Sequence, residues 1–171
     1  KTKTAMGARL LKKFINRPLY NQAAIEERLT HVETFTKDYL RRQELASYLN
    51  EVYDLERLIA KISYGNANAR DLLQLLKSFK VMPSIKKLLQ ELSLDTFSNQ
   101  ILTLDPMVQK LESALCDNPP LSVKEGGMIK PGYDSTLDDL KLASKDGKNY
   151  LANLENKERE KIEPIWRPTI F

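Results

Sequence analysis

The stretch Val52–Phe79, "VYDLERLIAKISYGNANARDLLQLLKSF", contains the start and the end of one helix and the start of a second. Asp54 can cap the first helix, and Gly65 can end it in a left-handed conformation. Its apolar residues at helical spacing are Leu55, Leu58, Ile59 and Ile62. Asn68 can then cap the next helix, so the stretch predicts an all-α, multi-helix fold.

Helix signals of the same kind occur along the rest of the chain. Further helices are predicted to begin near Thr4, at Asn21 and at Asp105. Pro83 leaves two interpretations open, because it can occupy the first turn of a new helix or mark a kink in one bent helix. Within "DLER", Asp54 and Arg57 can form a cap with a local ion pair, or a buried polar link.

Leu121–Lys130, "LSVKEGGMIK", is the only strong β signal, with two short apolar runs around glycines. It predicts one small β-hairpin at about 121–130, in a helical domain that covers residues 1–132. Gly126, Gly127 and Gly132 permit tight turns, so they are expected to form a corner that redirects the chain.

After that corner, Asp134 can cap a long helix with a narrow seam. The seam residues are Leu137, Leu140, Ser144, Gly147, Leu151 and Leu154. Acidic and basic residues nearly balance along this helix, which is typical of a protruding arm or of an ordinary surface helix. Residues 133–171 therefore read as a second segment, made of this helix and a tail.

Charge and composition limit the possible functions. The chain has 171 residues, 42% of them hydrophobic, and no run long enough to span a membrane. The single cysteine, Cys116, indicates a reducing, cytoplasmic setting. Lys1–Arg17 contains six bases and no acid, so it could meet phosphate or the acidic face of another domain.

Catalytic motifs are missing from the sequence. Gly127 and Gly132 have the spacing of a phosphate-binding loop, but Tyr133 and Asp134 follow in place of the required lysine and hydroxyl residue. We therefore expect no enzyme activity, and no cofactor, in this chain.

Three segments together resemble the MutS family of DNA mismatch-repair proteins. They are "TAMGARLLKKFINRPL", "VYDLERLIAKISYGNANARDLLQLLKSF" and "NPPLSVKEGGMIKPGYDSTLDDLKLASKDGKNYLANLENKERE". The resemblance implies a helical core, or lever, domain that joins an ATPase module to DNA-binding parts, followed by the first helix of a DNA clamp. The glycine corner then resembles the base from which the clamp arm leaves the core.

The resemblance also implies partners and cofactors. The parent protein would use ATP and Mg, would form a homodimer, and would bind duplex DNA and a MutL-type partner. The residues expected to contact the DNA backbone are the basic residues Lys145, Lys148, Lys157 and Arg159. A helical protein-interaction scaffold that never meets DNA is the alternative function.

The sequence departs from the family in two respects. The family's mismatch-reading phenylalanine, followed two residues later by glutamate, is missing, and so is the nucleotide loop. We therefore expect a fragment of a longer protein. The tail Lys161–Phe171 does not resemble the clamp strands that the family would place there.

Overall fold

The computed structural model describes the backbone of residues 2–162, and the side chains of this range except at residues 150 and 160–162. These residues form α-helices and one short 3-10 turn, and none of them lies in a β-strand. The chain divides after Ile129 into two compact units. No helix in the described range is long and apolar enough to cross a membrane.

The first unit contains most of the helices. They are α1 (Ala5–Asn16), α2 (Gln22–Lys37), α3 (Tyr39–Asn50), α4 (Leu55–Ser63), α5 (Ala69–Glu91), α6 (Asp95–Ser98) and α7 (Asp105–Ala114). The second unit contains α8 (Ser135–Lys145) and α9 (Gly147–Ile162). The all-α prediction is confirmed.

The helix ends follow the capping residues. Asn21 Oδ1 accepts a hydrogen bond from the Ala24 amide at 3.1 Å and so starts α2. Asn68 and Asp71 form a reciprocal capping box at the start of α5. Gly65, just after α4, has a φ of 71°, the left-handed conformation that glycine adopts without a steric penalty.

Helix α5 is the centre of the first unit, because it contacts α3, α4, α6 and α7. Its buried residues Val81, Ile85 and Leu89 form the main hydrophobic cluster together with Leu94. The helix continues through Pro83, so the segment is one helix rather than two.

The predicted β-hairpin is wrong. Val123–Glu125 forms a 3-10 turn, and Gly126 has a φ of 71° and a ψ of −168°, which lies outside the left-handed helical region of a type I′ hairpin turn. Ile129 instead forms an isolated antiparallel bridge with Leu115, at the end of α7.

Burial explains why Ile129 pairs with Leu115 rather than with the run "LSVK". Leu115 is 4% exposed, whereas Leu121 and Val123 are 61% and 77% exposed. The Cys116 amide also donates to the Met128 carbonyl at 2.9 Å. The bridge therefore places Ile129 beside a leucine that is removed from water, which the hydrophobic effect favours.

The single long helix predicted after Asp134 is also wrong. Helices α8 and α9 are separated by Asp146, whose φ of −140° and ψ of 72° are not helical. The break lies between Ser144 and Gly147, so it interrupts the seam. The sequence predicted a change of direction at the glycine corner only, and the structure has another one inside the arm.

Candidate nucleic-acid interface

The basic residues of α9 that were expected to contact DNA do not share one face of the helix. At about 100° per residue, Arg159 lies within about 20° of Lys148, whereas Lys157 lies about 180° away from Lys148. Lys148 and Arg159 therefore form one exposed basic face. Glu155 lies on the same face and pairs with Arg159 at 3.6 Å.

Lys157 lies on the opposite face of α9, which borders a groove. It lines a groove of about 410 Å³ together with Asp139 and Leu142 of α8 and Asn153 and Leu154 of α9. Lys157 is exposed, and Asp139 and Asp146 line the same groove. Lys145 is the basic residue of the last turn of α8, where its positive charge interacts favourably with the helix dipole.

The exposed face of α9 that carries Lys148 and Arg159 can contact phosphates, but it cannot recognise nucleobases. Two long cationic side chains on one exposed face can reach neighbouring phosphate oxygens. Glu155 between them opposes the approach of DNA. On its own, α9 is therefore suited only to weak, salt-sensitive contact with a nucleic-acid backbone.

The basic cluster at the start of the chain has a partner within the first unit. Arg9 of α1 donates to both carboxylate oxygens of Asp54, at 2.7 and 2.9 Å, and to Glu56 at 2.8 Å. Arg9 thus meets the acidic start of α4. Lys12 and Lys13 of α1 are exposed, and so is Arg17, which follows the helix.

Asp54 caps α4 and also binds Arg9 of α1, in a link that is not buried, since the Arg9 side chain is 43% exposed. Its Oδ1 accepts from the Arg57 amide at 3.4 Å, which caps α4, and the same carboxylate binds Arg9. Arg9 holds the pKa of Asp54 below its ordinary value, against the effect of burial and with help from the Arg57 amide. Arg57 is 82% exposed and lies 3.6 Å from Asp54, so the link between helices is made by Arg9.

Two further polar links hold α5, and sequence reasoning missed both. Lys61 of α4 binds the buried Asp71 at 2.7 Å and lowers its pKa, against the opposing effect of burial. Ser78, which is fully buried, accepts from the Tyr53 amide at 3.0 Å. No local spacing marks these pairs, because each joins residues of different elements.

The three corner glycines all have positive φ angles, of 71°, 70° and 85° for Gly126, Gly127 and Gly132. In the second unit, the Gly132 amide also donates to Asp138 of α8 at 2.6 Å. A Cβ atom at any of the three would meet nothing within 4 Å. Backbone conformation, rather than lack of space, is therefore what favours glycine there.

Comparisons with known proteins give consistent matches over nearly the whole chain. A family model described as MutS domain III matches residues 1–165. The DNA mismatch repair protein MutS of Staphylococcus haemolyticus is 50% identical over 163 residues, which is 94% of this chain and 18% of that protein. The MutS protein of Bacillus subtilis is 49% identical over 162 residues, covering 93% of this chain and 19% of that protein.

A third relative agrees with these two. The MutS protein of Geobacillus thermodenitrificans is 51% identical over 162 residues, which is 93% of this chain and 18% of that protein. The chain therefore spans about a fifth of the length of the curated relatives that it matches. The family match extends into the tail as far as residue 165.

Proposed function

We propose a mechanical function, from the premise that this chain belongs to the MutS family and corresponds to its domain III. The chain would act as the lever domain of a DNA mismatch-repair protein, with α8 and α9 as the beginning of its DNA clamp. It would couple an ATPase module to DNA binding without catalysis of its own. The match to MutS domain III over residues 1–165 is the observation that carries this proposal.

The polar links of the first unit support a coupling role. Arg9 ties α1 to the start of α4, Lys61 ties α4 to α5, and Ser78 ties α5 to the segment before α4. Side chains that are hydrogen-bonded across elements hold those elements in one arrangement. A body held in this way can pass a displacement from one end to the other, as a lever requires.

The DNA contact of the proposal rests on the exposed face of α9. Lys148 and Arg159 would touch phosphates and release counterions, without a preference for sequence. The parent would bind duplex DNA as a homodimer, use ATP and Mg at a site elsewhere in the protein, and engage a MutL-type partner. The curated relatives are named as DNA mismatch repair proteins, which supports DNA as the partner.

A chimera tests the proposal. This chain would replace the matching segment of the Bacillus subtilis MutS protein, to which it is 49% identical. We expect the chimera to lower the mutation rate of a strain that lacks its own MutS, and to bind and release duplex DNA in response to ATP. A soluble chimera that hydrolyses ATP but never changes its hold on DNA would refute the coupling role.

The alternative is a protein-interaction scaffold, and one observation favours it. Leu140, Leu142 and Leu151 of α8 and α9 are 58%, 63% and 65% exposed. Exposed leucines in a pair of helices are suited to packing against another protein. The alternative predicts a chimera whose DNA retention is unaffected by loss of the bases of α9.

A further inference from the structure

A single residue joins α8 and α9 and takes part in the ends of both helices. The Asp146 amide donates to the Leu142 carbonyl at 2.9 Å, which completes the last turn of α8. Its Oδ1 accepts from the Asn149 amide at 3.4 Å, and its Oδ2 accepts from the Asn149 side-chain amide at 2.5 Å. Asp146 is the single residue between the end of α8 and the start of α9, so its conformation affects the angle between them directly.

The chain bends at this residue, and the two helices contact one another. Asp139 of α8 and Asn156 of α9 line the same groove. In one continuous helix these two residues would lie about 25 Å apart, at 1.5 Å per residue. The chain departs from that straight path at Asp146, whose φ of −140° and ψ of 72° are not helical.

The competing conformation is one continuous helix, and the sequence favours it. Seam residues continue at three- and four-residue steps through the break, from Ser144 to Gly147 and Leu151. Joining α8 to α9 would supply helical partners to the amides of the first turn of α9 and to the last carbonyls of α8. The Asp146 carboxylate replaces part of that gain only in the bent form, because only there is the Asn149 amide free to receive a cap.

The first unit uses the same arrangement, at the junction of α2 and α3. Asp38 ends α2, has a φ of −105° and a ψ of 86°, and accepts from the Arg41 amide at 3.0 Å. Here too an aspartate outside the helical conformation joins two helices without a loop, and α2 and α3 contact one another. An aspartate in this conformation thus produces a bend at two independent places in the chain.

We infer that Asp146 is the positioning residue that sets the direction of α9, by capping it in the bent form and opposing its fusion with α8. The inference rests on the proposed function only in its consequence, which is that Asp146 places Lys148 and Arg159 for DNA contact. Removal of the carboxylate releases the Asn149 amide, so that the helix continues through residue 146.

A distance measurement on the 171-residue chain tests this inference. Spin labels at Thr136→Cys and Glu155→Cys, with Cys116→Ser, report the span from α8 to α9. In a continuous helix the two Cα atoms would be about 29 Å apart. We expect a shorter distance in the parent chain and in Asp146→Asn, since asparagine is also a good cap, and about 29 Å in Asp146→Ala and in Asp146→Ala/Gly147→Ala.

Asp139→Ala is the matched control, because it removes the same charge from the groove without touching the cap. It should keep the short distance. A short distance in Asp146→Ala/Gly147→Ala would overturn the inference and assign the bend to packing across the groove. The same two substitutions can be placed in the chimera. If they lengthen the distance in the chain while the substituted chimera retains DNA as before, the DNA role of α9 fails and the role of Asp146 in the bend stands.

Discussion

Asp54 connects two helices of the first unit through one carboxylate. It caps α4 through the Arg57 amide and binds Arg9 of α1 with both oxygens. Its side chain is 18% exposed, so water compensates only partly for a lost partner. The neighbouring Arg57 side chain is 82% exposed and contributes one long contact.

We therefore expect Asp54→Ala and Arg57→Ala to differ in their effect on stability. Asp54→Ala removes the cap and should lower the free energy of unfolding by about 1 kcal/mol or more. Arg57→Ala should change it by less than about 0.5 kcal/mol. Urea unfolding followed by circular dichroism measures both, and equal losses would show that Asp54 has no special role.

Asp71 makes the stability depend on pH in a predictable direction. Lys61 lowers the pKa of Asp71 in the folded chain below its ordinary value of 3.8. As the pH falls, the Asp71 carboxylate therefore binds a proton in the unfolded chain before it does so in the folded chain. The stabilisation is complete above about pH 5 and is lost as the pH falls through the folded pKa.

The measurement compares the chain with Asp71→Asn. Parent stability minus variant stability should be largest near pH 6 and should shrink as the pH is lowered toward 3. Lys61→Met, which removes the partner, should show the same trend against the parent. A difference that stays constant from pH 6 to pH 3 would mean that the ion pair does not stabilise the fold.

Capping residues could be assigned from the sequence, whereas their partners in other elements could not. Asn21, Asn68 and Asp134 cap the helices that their positions predict, because a cap bonds to an amide only a few residues away. The partner of Asp54 is Arg9, 45 residues earlier in the chain. Nothing local distinguishes Arg9 from the other basic residues of α1, so only its position next to the start of α4 selects it.

At the level of elements, the glycines after α7 form turns in the predicted place but without the predicted hairpin. Gly127 has a φ of 70°, and a Cβ atom there would meet nothing within 4 Å. Its requirement for glycine is therefore a matter of backbone conformation alone. Gly147, at the start of α9, also has open space around it, but its φ is not in the positive range.

These two glycines form a matched pair for mutation. Gly127→Ala should destabilise the chain by about 1 kcal/mol, because an L-residue is strained at positive φ. Gly147→Ala should be neutral or slightly stabilising, because alanine favours helix. Thermal unfolding of both variants checks this, and an unchanged midpoint for Gly127→Ala would contradict the backbone argument.

The starts of the helices were predicted from local signals, whereas the break after α8 and the pairing of Ile129 were not. The start of α8 follows from Asp134, but the break at Asp146 does not, because the seam spacing continues through it. Likewise, "LSVK" alternates as a strand does, yet Ile129 pairs with Leu115. The pairing of Ile129 depends on which apolar surfaces meet in three dimensions, whereas the break depends on the Asp146 cap, which competes with the seam spacing.

At the scale of the whole molecule, the first unit is organised around α5 and the second consists of α8 and α9. Of the four bases expected from the sequence, only Lys148 and Arg159 share an exposed face of α9, while Lys157 lines the groove. The sequence could thus name the basic residues of the candidate site, but not which of them share a face of the helix. The proposed DNA contact reduces to Lys148 and Arg159.

The most direct measurement is the salt dependence of DNA retention by the chimera with the Bacillus subtilis MutS protein, on end-blocked duplex DNA. Lys148→Ala/Arg159→Ala should flatten the slope of log affinity against log salt by up to about two units. Lys12→Ala/Lys13→Ala removes the same charge from α1 and should leave the slope unchanged. Equal slopes for the parent chimera and both variants would contradict the DNA contact and favour the protein-interaction scaffold.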